Sequence, residues 1–173
     1  MEVVTRLTVD FARFVEDGTS SLLGTAYLLT RDRPAAEELV QDTLVALYPV
    51  WPKVAAAQSP IAYARRALIN RYLNQQRHAS VVERIGELLP DRQAPPDFAR
   101  QVDDRDQLRR VLSTLPPRQR AAVVLRYFHD LSDQQVADEL GCRATTVRSL
   151  ISRALTTLRA ASHAGTDQQG DPR

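Results

Sequence analysis

The sequence predicts an all-α protein of two small helical domains joined by an extended acidic linker, and three observations point to this. Apolar residues recur at helical spacing in both halves, as in Ala36, Leu39, Val40, Thr43, Leu44 and Leu47, and again in Val147, Ile151, Ala154, Leu155 and Leu158. Capping residues, prolines and a glycine punctuate these runs where helices start and stop. Residues 79–104, with Pro90, Pro95, Pro96 and an acidic excess, divide a front part at 8–78 from a back part at 105–162.

In chain order, residues 10–16 and 20–29 read as two helices separated by Gly18, with Phe11, Phe14, Val15, Leu22, Leu23, Ala26, Tyr27 and Leu29 available for a core. Asp32 is placed to cap a third helix whose first turn holds Pro34, where a missing N–H costs nothing. Opposite its apolar stripe lie Glu37, Glu38, Gln41 and Asp42. Pro49 and Pro52 should end or kink this helix near Leu47. Residues 51–59 read as a loop, and Pro60 opens a helix with core face Ile61, Ala64, Leu68, Ile69 and Tyr72. Its outer face is expected to carry Arg65, Arg66, Asn70, Arg71, Asn74, Gln75 and Arg77. Arg mixed with Asn and Gln, without acids, is suited both to phosphates and to base edges.

Apart from a short helix expected over 81–89, residues 79–104 read as a linker, and these 26 residues could span up to about 90 Å when extended. Two basic domains could thus sit on separate turns of one duplex. A helix from Arg105 carries Leu108, Val111 and Leu112, and Pro116 and Pro117 start another with core Ala121, Val124, Leu125 and Phe128.

Ser132 and Gln135 form a capping box, so a helix should begin at Asp133; Val136, Ala137 and Leu140 give it an apolar stripe and Gly141 a left-handed stop. A second helix restarts near Thr145. Two helices joined by a tight Gly-containing turn form a helix-turn-helix, whose second helix presents its first turns to base edges in the major groove. Its outward residues are Thr146, Arg148, Ser149, Ser152 and Arg153. Residues 163–173 lack periodicity and are expected to form a disordered tail.

The formal net charge of +2 hides a segregation. Residues 61–78 and 141–162 each hold four Arg and no acid, whereas 79–107 holds seven acids against four Arg. A lone Cys142 excludes an intrachain disulfide and a thiolate metal site, and reads as a small buried hydrophobe of the turn. No apolar run approaches the roughly 20 residues that span a bilayer, and residues 1–8 have no signal-peptide core, so no membrane contact and a cytoplasmic location are expected.

Four segments together resemble one family: AAEELVQDTL at 35–44, AYARRALINRYL at 62–73, LPPRQRAAVVLRY at 115–127 and VRSLISRALTTLR at 147–159. In this order and spacing they are similar to the extracytoplasmic-function (group 4) sigma factors of bacterial RNA polymerase, most like the compact SigE-type members. The resemblance implies two domains, sigma-2 and sigma-4, with no enzyme activity and no cofactor. It assigns Glu37, Glu38, Leu39, Val40, Gln41 and Asp42 to docking on the clamp helices of the largest subunit of the RNA polymerase core, with the flap of the second-largest subunit as a further contact. Tyr63, Arg66, Asn70, Arg71 and Asn74 match positions that recognise and open the -10 element of promoter DNA, with the 53–59 loop part of the base pocket. Thr146, Arg148, Ser149, Ser152 and Arg153 match the -35 recognition helix, and Arg118, Gln119 and Arg120 match backbone contacts from the preceding helix. Leu150 departs from the Arg or Gln of many relatives, and Pro49 interrupts a helix that is usually continuous. Control is expected from outside the chain, from a partner such as an anti-sigma factor.

Two rivals compete with this reading. A conventional helix-turn-helix repressor or activator dimerising through 10–60 would leave the second basic helix without a purpose. An enzyme with Glu37, Glu38, Asp42 and His78 or His129 as metal ligands is poorly built, because adjacent Glu37 and Glu38 diverge by about 100° on a helix and no His lies at i+3 or i+4 from them.

Overall fold

The computed structural model describes residues 2–86 and 104–166, and every regular element among them is helical. Helix α1 spans Glu2–Thr30, α2 Arg33–Leu47, α3 Trp51–Ala55 and α4 Pro60–Gly86; α5 spans Asp104–Ser113, α6 Pro117–Val123, α7 Asp133–Leu140 and α8 Ala144–Thr166.

The break expected at Gly18 does not occur, and α1 runs straight through it. Gly18 is buried, and a Cβ there would come within 3.2 Å of Ile61 Cδ1 on α4. The glycine therefore serves close helix approach, not a turn. At Arg31 the chain reverses through a left-handed residue (φ 64°), and Asp32 caps α2 as expected, its Oδ2 accepting from the Ala35 N–H at 2.9 Å. Ala36, Leu39, Val40, Thr43 and Leu47 form the buried stripe of α2. After Leu47 the chain tightens into a 3-10 turn at Tyr48–Val50 under Pro49, then re-forms a helix at Trp51, where a loop was expected. Aromatic packing explains this. Trp51 lies 5.1 Å from Phe11 edge-on and 4.9 Å from Phe14, and Tyr48 meets Phe11 at 5.1 Å.

On α4, Ala64, Leu68, Ile69 and Tyr72 are buried against α1 and α2. The helix continues through Gly86, into residues expected to be linker; residues 87–103 lie outside the described residues. In the back part, Leu112, Leu115, Ala121, Val124, Leu125, Val136, Val147 and Ala154 form the core. Phe128, expected there, is instead 53% exposed. Residues Val124–Phe128 form a wide π turn in which the His129 N–H donates to Val124 O at 3.3 Å, and the extra residue rotates Phe128 off the core face toward Gly24 of α1. The α8 helix reaches Thr166, so residues 163–166 of the expected tail are helical; residues 167–173 lie outside the described residues. No helix among the described residues is long and apolar enough to cross a membrane.

The two parts touch. Helices α1 and α4 pack against α6, the π turn and α7, so the proposed separation on one duplex is not the arrangement in this structure.

Candidate nucleic-acid interface

The helix-turn-helix forms as the local residues dictate. Ser132 Oγ accepts from the Gln135 N–H at 3.3 Å while Gln135 Oε1 accepts from the Ser132 N–H at 2.9 Å, completing the capping box. Gly141 ends α7 at φ 60°, ψ 44°, and Val147 is fully buried where α8 docks on α7. Cys142 is half-buried against the same core. This docking turns Thr146, Arg148, Ser149, Ser152 and Arg153 to solvent together, and all five are exposed. Arg148 Nε is held at 3.2 Å from Asp133 Oδ2 of α7, which also pairs with Arg126 at 3.7 Å. Leu150 is half-buried against the core, so it is a packing residue rather than a free base contact.

The three residues expected to hold DNA from α6 separate in three ways. Arg118 is exposed, its Nη2 3.5 Å from Leu140 O. Gln119 is half-buried, with its side-chain oxygen enclosed and without a hydrogen-bond partner. Arg120 is only 5% exposed and reaches no duplex in this arrangement. Its Nε donates to Leu112 O at 2.9 Å and its Nη2 to Leu115 O at 2.8 Å, while Nη1 donates to Leu29 O at 2.7 Å and to Tyr72 Oη at 2.8 Å. Four acceptors and no carboxylate surround this guanidinium; burial lowers its pKa and raises that of the Tyr72 phenol. Partners 91 and 48 residues away leave no trace in the local sequence.

On α4, Arg66, Asn70 and Asn74 are exposed as expected, whereas Tyr63 is half-buried against the core. Arg71 is tied to α2, donating to Asp42 O at 3.0 Å with its Nη1 3.7 Å from Asp42 Oδ2. Asn74 accepts from Arg77. Lys53 lies in α3, not in a loop. Arg65, expected to face out, is instead a domain contact: its Nε lies 3.1 and 3.0 Å from the two Glu139 oxygens, and both side chains are nearly enclosed. Beside this pair, Thr25 Oγ1 donates to Ser21 O and lies 2.8 Å from His129 Nε2, while Arg65 Nη1 lies 3.4 Å from His129 Nδ1. This pattern is satisfied by a neutral imidazole with its proton on Nε2. Burial first, and the Arg65 charge second, lower the His129 pKa to about 4.

On α2, Glu37, Glu38 and Gln41 are exposed, and Glu37 pairs with Arg33 at 3.0 Å. Leu39 and Val40 are 1% and 2% exposed, so these two are core and not docking residues: they occupy the stripe that faces α1 and α4. The apolar surface beside the acids comes from further along the helix, where Leu44, Val45 and Tyr48 line a groove with Phe11, Val15 and Gln41. Val45 is 72% exposed and Tyr48 51%. The metal-ligand rival loses its constellation, because Glu37, Asp42 and His129 are engaged with Arg33, Arg71 and Thr25 in separate places.

A helix-turn-helix with an open polar face, joined to a second helical unit with its own basic helix, defines a two-domain DNA-binding protein. Residues 14–81 match the sigma-70 region 2 family and residues 105–158 the sigma-70 region 4 family. The chain is 36% identical to the RNA polymerase sigma-E factor of Streptomyces avermitilis over 87% of its own length and 84% of that protein's. Against the RNA polymerase sigma-E factor of Streptomyces coelicolor it is 36% identical over 87% and 85%. In fold it is similar to the sigma factor RpoE of Bartonella quintana, solved in complex with the anti-sigma factor NepR, with TM-score 0.69, 24% identity and coverage of 87% of this chain and 95% of that one. CnrH, solved in complex with the cytosolic domain of CnrY, gives TM-score 0.61 at 21% identity, covering 89% and 88%. The chain belongs to the extracytoplasmic-function sigma factors of the sigma-70 family. It is thus a regulatory subunit that binds RNA polymerase core and promoter DNA to direct initiation, and not itself an enzyme.

Proposed function

We propose that residues 8–78 dock on polymerase and open the -10 element while residues 105–162 read the -35 element as duplex. The observation that carries this is the common exposure of Thr146, Arg148, Ser149, Ser152 and Arg153 on the first turns of α8, directly after the capped turn. Arg118 adds a phosphate contact at the edge of that surface. Arg66, Asn70 and Asn74 are the open reading groups of α4, and bases flipped from the stack can be captured there at a cost of about a few kcal/mol each.

The polymerase face comprises Glu37, Glu38 and Gln41 with Leu44, Val45 and Tyr48, an acidic and apolar surface suited to an Arg-bearing coiled coil such as the clamp helices. The place of action is the cytoplasm, where polymerase and chromosome meet. The complex of RpoE with the anti-sigma factor NepR supports control of this chain by an anti-sigma factor.

Run-off transcription with purified core polymerase tests the division of labour. Arg148→Ala should lose recruitment to a duplex template while a pre-melted template still initiates, and Asn70→Ala should keep recruitment and slow opening, read by permanganate reactivity of unpaired thymines. Normal opening by Asn70→Ala, with failure of Arg148→Ala even on the bubble, would reverse the assignment.

A further inference from the structure

Arg148, on the exposed surface of α8, is tied to the neighbouring helix. Its Nε donates to Asp133 Oδ2 at 3.2 Å, and the other carboxylate oxygen, Oδ1, lies 3.7 Å from Arg126 Nε. Arg126 is itself anchored, its Nη1 donating to Leu131 O at 2.6 Å. The Asp133 backbone is fixed as well, because it is the first residue of α7 behind the Ser132 and Gln135 capping box. A half-buried carboxylate therefore stands at a set place, and Arg148 leans on it by one edge.

An aspartate in the first turn of α7 favours the helix dipole, but it would do so equally well turned to water. The Arg148 side chain is 68% exposed, so its ion pair contributes little to the stability of the fold. Nor does the pair serve affinity for phosphates. The surface of Thr146, Arg148, Ser149, Ser152 and Arg153 holds no acid of its own, and a carboxylate beside it repels DNA. What the pair does change is orientation. With Nε engaged, the guanidinium presents its far end, Nη1 and Nη2, neither of which has a partner among the described residues. Those two nitrogens are the edge left for a bidentate contact, and they match guanine O6 and N7 in the major groove.

We propose that Asp133 is a specificity-determining positioning residue, holding Arg148 by Nε so that Nη1 and Nη2 meet a guanine of the duplex -35 element instead of a neighbouring phosphate. This rests on the assignment of the -35 element to α8 made above. A loose arginine reaches phosphates, which are alike at every base step, whereas a braced one commits both nitrogens to one base. Immobilising a rotamer-rich side chain on binding lowers affinity by about two- to tenfold, and Asp133 imposes that order before DNA arrives.

The test measures sequence preference with holoenzyme, core polymerase plus the full chain, on a duplex library randomised over the upstream element and sequenced before and after binding. Arg148→Ala should lose the preference for guanine at the base it reads. Asp133→Ala should cut that same preference by about three- to tenfold and leave preferences at other positions in place. It should also bind non-promoter duplex at least as tightly as the parent, because an acid has left the DNA face. Asp133→Asn, which keeps the shape and one oxygen acceptor, should move the preference the same way to a smaller degree, and it carries the comparison where alanine loosens α7. In the free chain, side-chain NMR relaxation at Arg148 Nε should report a more mobile guanidinium in Asp133→Ala than in the parent. Guanine preference that survives both Asp133 substitutions would overturn the proposal, as would unchanged mobility of Arg148. A uniform loss of affinity with every preference intact would overturn it too, since Asp133 would then serve the fold alone. Failure of the -35 assignment looks different, because Arg148→Ala would then lose preference at no position and the proposal would fall with it.

Discussion

Residues 61–78 of α4 and residues 141–162, the turn before α8 and most of that helix, carry the same charge pattern of four Arg and no acid, yet the fold uses them differently. On α8 five polar residues face solvent as one surface; Arg148 is held by Asp133 and the Ser149 hydroxyl donates to Thr145 O within the helix. On α4 the arginines are divided: Arg65 belongs to Glu139 and Arg71 to Asp42, while Arg66 and Arg77 stand exposed, Arg77 donating to Asn74. Composition alone makes the two stretches look like equivalent nucleic-acid helices. What it does not reveal is how much of each helix is already engaged. On the proposed assignment the α8 surface needs no rearrangement to meet duplex DNA, whereas α4 presents Asn70, Asn74 and Gln75 beside Arg66 and Arg77, a mixture suited to bases that have left the stack.

The comparison breaks most readily at the arginines that local sequence makes look alike. Arg120→Ala removes a donor set serving three carbonyls and a phenol, and should destabilise the fold by about 3 kcal/mol in urea denaturation. Arg118→Ala, two residues away and exposed, should change stability by no more than about 0.5 kcal/mol while weakening duplex binding. Equal stability losses in the two variants would show that Arg120 is not the structural arginine. The next effect lies on α8, where Arg148→Ala should cost about 1 to 3 kcal/mol of -35 duplex affinity in a titration with holoenzyme, and Arg66→Ala on α4 should leave that affinity unchanged.

A smaller effect separates the boundary from both reading surfaces. His129 is neutral in the fold because its pKa is lowered to about 4, against an ordinary value near 6.5. The unfolded chain therefore binds the extra proton first. Stability contributed by the neutral ring is complete above about pH 6.5 and is lost as pH falls toward 4. Urea midpoints measured from pH 7.5 to 4.5 should fall more steeply for the parent than for His129→Asn, with the Arg65 and Glu139 pair still present in both. Smallest in its effect on the fold is Glu38→Arg, which should leave the thermal midpoint unchanged and lower affinity for core polymerase several-fold in a fluorescence titration.

Features decided within a few residues were legible in the sequence. Ser132, Gln135 and Gly141 announce α7 and its end, Asp32 and Pro34 announce α2, and the spacing of Ala64, Leu68 and Tyr72 announces the buried side of α4. The misses share another cause, since each depends on a partner far along the chain. Gly18 reads as a break until Ile61 is set against it, and Arg65 reads as solvent-facing until Glu139, 74 residues later, encloses it. Leu39 and Val40 satisfy the core periodicity and the docking motif at once, and burial decides for the core. Val45 and Tyr48 lie off the apolar stripe of α2, and only the approach of Phe11 and Val15 from α1 makes them the wall of a groove.

Because the turn at Val124–Phe128 carries one residue more than an α-turn, the coupling between the two domains is exposed to inheritance in an unusual way. Loss of a single codon there would restore α spacing, swing Phe128 and His129 by about 100° around the axis, and withdraw them from Gly24 and Thr25. The short connection before Ser132 would absorb the shift, since α7 restarts from its own capping box. Descendants could thus loosen or tighten the union of their domains by a change in length, while every residue that reads the promoter stays the same.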